Sequence, residues 1–274
     1  MHLKLNTGMN RLGIKDKKDV QKAIDIIQKN YFLEGVYSHF ITTGISDKKW
    51  DEQLQTFYDL LEGIDLTKIP MIHMGRSLTL VNHPKIDICN GIRLGILMYG
   101  FNQSPKKDPS FKGKLRQIKA NLRIKKYHIS KTTLDTNIKV TPCLSLYSEI
   151  MEIQNVKKGE NVGYGLSYEA KEDILVAVAP IGYADGLNRK STGRNVFING
   201  SYYPIIGSVN MGMIQIKVDE NVKVGDKVEL IGDHVSARYV ASYLHTTPYE
   251  VLCALEDTIP KKYLYRNEVT YIEE

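Results

Sequence analysis

Over the first hundred residues, short apolar runs alternate with stretches of amphipathic helical spacing. His2 to Thr7 reads as a strand ending in Gly8. Asp16 is placed as an N-cap, and Val20, Ala23, Ile24 and Ile27 then fall on one helical face. Gly35 to Thr42 gives a second strand. From Asp47 to Glu62, the residues Trp50, Leu54, Phe57 and Leu61 form an apolar stripe of the kind that packs a core. Met71 to Gly75 and Gly91 to Gly95 supply the third and fourth strands. Strand and helix in unbroken succession predict a parallel sheet or a β/α barrel, and four strands are half of an eight-stranded one.

After Gly100 the pattern changes. Residues 103–140 form a basic linker, with ten Lys or Arg against one Asp between Ser104 and Lys131. Beyond it, apolar runs at 142–153, 173–182, 194–199, 202–217 and 227–231 are separated by Gly-containing turns such as Asn199-Gly200, which predicts an antiparallel β-domain. Helices are expected at about 236–245 and near Tyr249. The expected fold is therefore α/β plus all-β: a partial, second-half β/α TIM-type barrel over 1–102, the linker, and a β-domain over 141–274.

Composition narrows the class. The 274 residues are 42% hydrophobic and 25% charged, ordinary for a globular protein. No apolar run reaches the length of a membrane span, and the N-terminus lacks the apolar core of a signal peptide. Cys89, Cys143 and Cys253 are scattered, odd in number and without metal-ligand spacing, which suggests reduced thiols in a cytoplasmic protein. The net charge of +6 is concentrated in the linker. That segment has few aromatics to stack on bases beyond Phe111 and Tyr127, so a solvated basic segment is favoured over a nucleic-acid contact.

In β/α barrels the chemistry sits at the C-terminal ends of the strands. Those ends offer Lys4 and Arg11, then His39, then His73 and Ser77, then Arg93 followed by Gly95. Tyr164 stands between Gly163 and Gly165, where glycine permits a close approach by a ligand. A phenol there can exchange protons if its surroundings lower a pKa of about 10. Tyr183 and Tyr249 lie in further short motifs.

These motifs occur in the order found in alanine racemase, and the chain resembles that family, the fold-type III enzymes dependent on pyridoxal phosphate. The likeness rests on His2 to Gly13, Tyr37-Ser38-His39-Phe40, Ile92 to Gly100, Val162 to Gly165, Pro180 to Gly186, Pro204 to Met211 and Tyr249 to Cys253. It implies interconversion of L- and D-alanine through a pyridoxal phosphate aldimine with two bases, supplying D-alanine for peptidoglycan. One base is the Schiff-base lysine; the other is a tyrosine from the partner subunit of a homodimer, here Tyr164. By the same likeness His39 links Tyr164 to Arg93, which faces the pyridine nitrogen. Ser77, the Gly95 amide and Tyr249 hold the phosphate. Arg11 and the Met211 amide hold the substrate carboxylate, Tyr183 narrows the entrance, and Lys4 is a candidate for carbamylation. Tyr249 favours alanine over serine.

The chain also departs from the family pattern. It begins at what looks like the fifth barrel strand, so the expectation is a C-terminal portion without the Schiff-base lysine, or one product of a split gene with a separately encoded N-terminal half. Lys119-Ala120-Asn121 resembles the lysine motif but continues as Leu122-Arg123, and reads as a decoy. Asn6 and Gly212 replace the usual Asp, Arg76 replaces an Asn, and Thr258 replaces an Arg. The rival reading is a non-catalytic binding or dimerisation remnant of the family.

Overall fold

In the computed structural model, alternation along the first four strands sorts their side chains between an apolar and a polar sheet face. The described residues are 1–42, 48–82, 85–101, 114–115, 118, 122, 139–265 and 268–273. They divide into two units, Met1–Thr141 and Pro142–Glu274. Most of the basic linker, with the Lys119 motif, Phe111 and Tyr127, lies outside the described residues.

The first unit is a parallel sheet in the order β1 (His2–Lys4), β2 (Gly35–Tyr37), β3 (Met71–Arg76) and β4 (Gly91–Arg93). Leu3, Val36 and Ile72 share one register level, and with Leu5 and Met74 they point to one face. Helices α1 (Lys17–Asn30) and α2 (Lys48–Leu61) bring Val20, Ile24, Trp50, Phe57 and Leu60 into the same core. Asp16 caps α1 by accepting from the Lys18 and Asp19 amides. A short helix, α3 (Ser77–Asn82), leaves the end of β3 directly. What is observed is thus an open four-stranded parallel sheet. The narrower expectation of half a TIM-type barrel reduces to an α/β unit, because the described strands neither close nor continue beyond these four.

The second unit is a seven-stranded antiparallel sheet in the order β5-β11-β8-β9-β10-β7-β6. Its strands are β5 (Leu146–Glu149), β6 (Glu152–Val156), β7 (Ile174–Ala179), β8 (Asn195–Ile198), β9 (Ser201–Ile206), β10 (Ile214–Val218) and β11 (Lys227–Ile231). Two expected strands are each two. The run 142–153 breaks at Ile150-Met151, since β5 pairs with β11 while β6 pairs with β7. The run 202–217 breaks into β9 and β10 around a loop at 207–213, where Gly207 takes a positive φ of 65°. Helices α4 (Ala237–Tyr243) and α5 (Pro248–Cys253) follow, then a hairpin of β12 (Lys261–Tyr265) and β13 (Glu268–Glu273) that the sequence pattern did not suggest. Among the described residues no helix is long and apolar enough to cross a membrane.

Candidate functional site

The polar face of the parallel sheet carries the titratable groups. Lys4, Tyr37, His73 and Gly91 are aligned across the four strands, with His2 and Arg93 two residues away on the same face. Arg93 ends β4 and its guanidinium forks between two imidazoles. Its Nε donates to His39 Nδ1 at 3.3 Å, and its Nη1 lies 3.3 Å from His73 Nδ1. The Tyr37 ring stacks on His73 with centroids 5.0 Å apart, and the guanidinium carbon sits 4.3 Å from the centre of the same ring. A cation held against an aromatic face gains about 0.5–2 kcal/mol.

His39 itself stands two residues past β2, in a segment fixed from below by a buried polar side chain. Gln53, on α2, accepts from the Ile41 amide at 2.9 Å and donates to the His39 carbonyl and to Thr7 Oγ1, each at 3.2 Å. Thr7 Oγ1 is 2.8 Å from Ser38 Oγ, which donates to the Leu5 carbonyl. These bonds satisfy both amide protons and the oxygen of Gln53 and tie the segments after β1 and β2 together. The loop bearing Arg11 is closed at its neck by the Leu5–Ile14 bridge. Inside it, Asn6 Oδ1 accepts from the Gly8 and Asn10 amides, so at 6 an amide oxygen serves where the family usually has a carboxylate.

Ser77 is buried at the start of α3. Its Oγ accepts from the Gly95 amide at 2.9 Å and lies 3.5 Å from the Leu97 amide. Beside it, Arg76 donates to the Thr42 carbonyl, while its buried Nε has no partner among the described residues. With its oxygen taken by the Gly95 and Leu97 amides, the Ser77 hydroxyl keeps its own proton to donate, which suits an acceptor such as an oxyanion.

The local charge is strongly positive. Burial, reinforced by Arg93, Arg76, Arg11 and Lys4, lowers the His39 pKa to about 4. Burial with Arg93 and His2 lowers His73 to about 4 as well. Both rings are neutral at pH 7. Lys4 is also shifted down, by burial and then by Arg11 and Arg93, which raises its share of free amine.

The remaining sequence candidates belong to the second unit. Tyr164 opens a 3₁₀ turn, Tyr164–Leu166, flanked by Gly163 at φ 74° and Gly165 at φ 76°, and its ring is 76% exposed. The turn is held by the Tyr164 carbonyl, which accepts from Ser167 and Ser208. Tyr164, Tyr183 and Met211 line one surface cavity of about 510 Å³ together with Arg189, Asn210 and Gly212. Tyr183 and Met211 meet because residue 182 lacks a side chain: a Cβ there would lie 2.2 Å from the Met211 carbonyl oxygen. The Tyr183 and Ala184 amides donate to the Asn210 and Met211 carbonyls. Tyr249 lies on α5, outside that cavity.

Sequence reasoning placed His73 among the strand ends but gave it no task, and it passed over Gln53, Tyr37, His2 and Arg189. Gln53 fell on the core-facing side of an amphipathic helix as a single polar exception, and that was its only signal. His2, Tyr37 and His73 share a sheet face, a relation visible only once strand register is known.

The family model for the alanine racemase N-terminal domain matches residues 1–103, and that for the alanine racemase C-terminal domain matches residues 143–263. An alanine racemase of Ligilactobacillus salivarius (strain UCC118) is 32% identical over 270 residues, which cover 96% of this chain and 66% of that protein. Among solved structures, an alanine racemase of Clostridium difficile 630 matches with a TM-score of 0.82 at 29% identity, over 99% of this chain and 66% of that one. The alanine racemase of Bacillus anthracis with bound L-Ala-P matches with a TM-score of 0.80 at 28% identity, over the same shares of the two chains. The chain thus spans 66% of the length of the relatives it matches. Both family domains are represented in it, which corrects the expectation of a C-terminal fragment awaiting a separate N-terminal half. The segment matched by the N-terminal model forms its own sheet, helices and apolar core.

Proposed function

The chain belongs to the alanine racemase family, and from that premise we propose that it serves a pyridoxal-phosphate-dependent racemisation of alanine. The product D-alanine would supply peptidoglycan synthesis in the cytoplasm, and two copies of the chain would share active sites across a dimer interface. The observation that carries this reading is the fork of Arg93 between two neutral imidazoles, beside the Ser77–Gly95 hydrogen bond.

The residues present fit the cofactor. Ser77 would donate its hydroxyl proton to a phosphate, with the Gly95 amide turning to it from the Ser77 oxygen, and Tyr249 would add a hydroxyl in the family arrangement. Arg93 would face the ring nitrogen of the bound cofactor and, as a guanidinium, would keep its own protons. When bound, pyridoxal phosphate supplies the electron sink that makes the α-proton of an attached amino acid acidic. An Arg93 that keeps its protons would leave that sink weaker, which would favour return of the proton over side reactions. Tyr164 takes or returns the α-proton at its phenolic oxygen from one face. His39 orients that phenol, and Arg11 with the Met211 amide holds the carboxylate. Tyr183 and Met211 border the entrance and keep the substrate small.

Lys4, carbamylated, would give Arg11 an anionic partner within a cluster of cations. Its lowered pKa supports this, because the free amine is the form that takes up carbon dioxide. Intact mass under bicarbonate should show the added carbamate, and its loss in Lys4→Ala would locate it.

Conversion of L-alanine to D-alanine by the purified chain with added pyridoxal phosphate tests the reading. Borohydride reduction and peptide mapping, run in parallel, identify the lysine that carries the cofactor. Turnover together with a mapped lysine supports a racemase. Folded protein that neither turns over nor retains the cofactor favours the non-catalytic binding or dimerisation reading.

A further inference from the structure

Behind Arg93 a line of side chains continues through the sheet. His73 Nε2 lies 3.1 Å from His2 Nδ1, and His2 Nε2 lies 3.3 Å from Glu34 Oε2. Among the described residues each ring nitrogen on this line has one hydrogen-bond or ion-pair partner, so the proton positions can be derived. A guanidinium only donates, which makes His73 Nδ1 an acceptor and puts the proton of neutral His73 on Nε2. That N–H needs an acceptor, and His2 Nδ1 is the atom it meets. The proton of His2 is then on Nε2, aimed at the Glu34 carboxylate. A second proton on either ring would set two N–H groups against each other, or one against the guanidinium.

An independent observation shows that the place of His2 is built. It packs over Gly35, where a Cβ would stand 2.5 Å from His2 Nδ1 and 2.6 Å from Cε1. Only glycine at 35 leaves room for this ring. The Tyr37 ring completes the enclosure, stacked on His73 and edge-on to His2.

We propose that Glu34, His2 and His73 are positioning residues for Arg93: a one-way hydrogen-bond chain from guanidinium through two neutral imidazoles to a carboxylate, which fixes the direction of the guanidinium. None of the three touches the reacting atoms. The chain sets the Nη1 edge of Arg93, leaving the rest of the fork to His39 and to whatever the guanidinium faces. Its bearing on catalysis rests on the racemase reading; its existence does not.

The test uses the full chain with ¹⁵N-labelled histidine and arginine. Wild-type His73 and His2 should each show the Nε2–H tautomer at pH 7.5, and Arg93 should show separate, slowly exchanging Nη resonances. His2→Phe keeps an aromatic ring and removes the acceptor. It should move His73 off the pure Nε2–H tautomer and let the Arg93 resonances coalesce, with the backbone spectrum otherwise retained. Gly35→Ala should do the same by displacing His2, and Glu34→Gln, which still accepts, should do so least. Turnover in His2→Phe should drop by up to about 10²-fold through kcat, with cofactor affinity little changed. His73 found on Nδ1–H or protonated in the wild type overturns the proposal. So does a His2→Phe protein whose His73 and Arg93 signals are unmoved. Wild-type tautomers as derived, in a protein without racemase turnover, would uphold the chain and reject the racemase reading instead.

Discussion

The two units carry their chemistry on opposite physical terms. In the first, His73 and Ser77 are buried, His39 and Arg93 are half-buried, and all four side chains are hydrogen-bonded. The shell behind them, Gln53, Thr7 and Ser38, is buried and hydrogen-bonded through to the backbone. In the second, Tyr164, Tyr183 and Met211 stand on loops, at 76%, 46% and 62% exposure, held through backbone atoms rather than side chains. The first unit is a prepared site. The second presents two exposed phenol rings and an exposed thioether.

This contrast can be broken by mutation. Arg93→Ala has the largest expected effect: it leaves two imidazole acceptors without a donor and should lower racemisation about 10²–10³-fold, the range for losing one preorganised electrostatic group. Steady-state kinetics with cofactor in excess measures it. Gln53→Leu comes next. It keeps the apolar face of α2 but leaves the Ile41 amide and His39 carbonyl unpaired, at a cost of about 1–3 kcal/mol in denaturant unfolding. An unchanged unfolding midpoint would mean that the first unit is not locked as described.

The pH dependence is a finer test. His39 and His73 have folded pKa values of about 4, below the ordinary 6.5, so the unfolded chain binds more protons between those values. Stability of the first unit is therefore fully present above pH 6.5 and is lost as pH falls toward 4. Replacing either histidine by Gln should flatten that slope, as read from thermal unfolding between pH 7.5 and 4.5.

The degree to which this was legible in the sequence follows the same division. The helix over 17–30 could be read because Asp16, Val20 and Ile24 announce a cap and an apolar face, and local chemistry decides both. The polar alternation in His2-Leu3-Lys4-Leu5 likewise marks a strand with one face kept for chemistry, unlike the continuous apolar run of a strand buried on both sides. Tyr164 stood out through its two glycines, both of which take positive φ. The chain from Arg93 to Glu34 could not be read, because its members are far apart in sequence and meet only through strand register. The split of 202–217 was hidden for a different reason. Its apolar run continues through Val209, Met211 and Met213, and only the conformation at Gly207 turns it into a loop.

The central proposal is that Tyr164 is a proton-transfer residue of the racemisation proposed above. Its most direct test is deuterium incorporation and D-alanine formation from L-alanine in D₂O, with pyridoxal phosphate, by wild-type protein and Tyr164→Phe. The account predicts deuterated D-alanine from the wild type. It predicts a rate about 10²–10⁴-fold lower in the variant, the range for removing a general acid–base group. Because the ring is exposed, the variant should unfold within about 0.5 kcal/mol of wild type and bind the cofactor as tightly. Equal rates of deuterated D-alanine from both proteins would contradict the assignment of Tyr164.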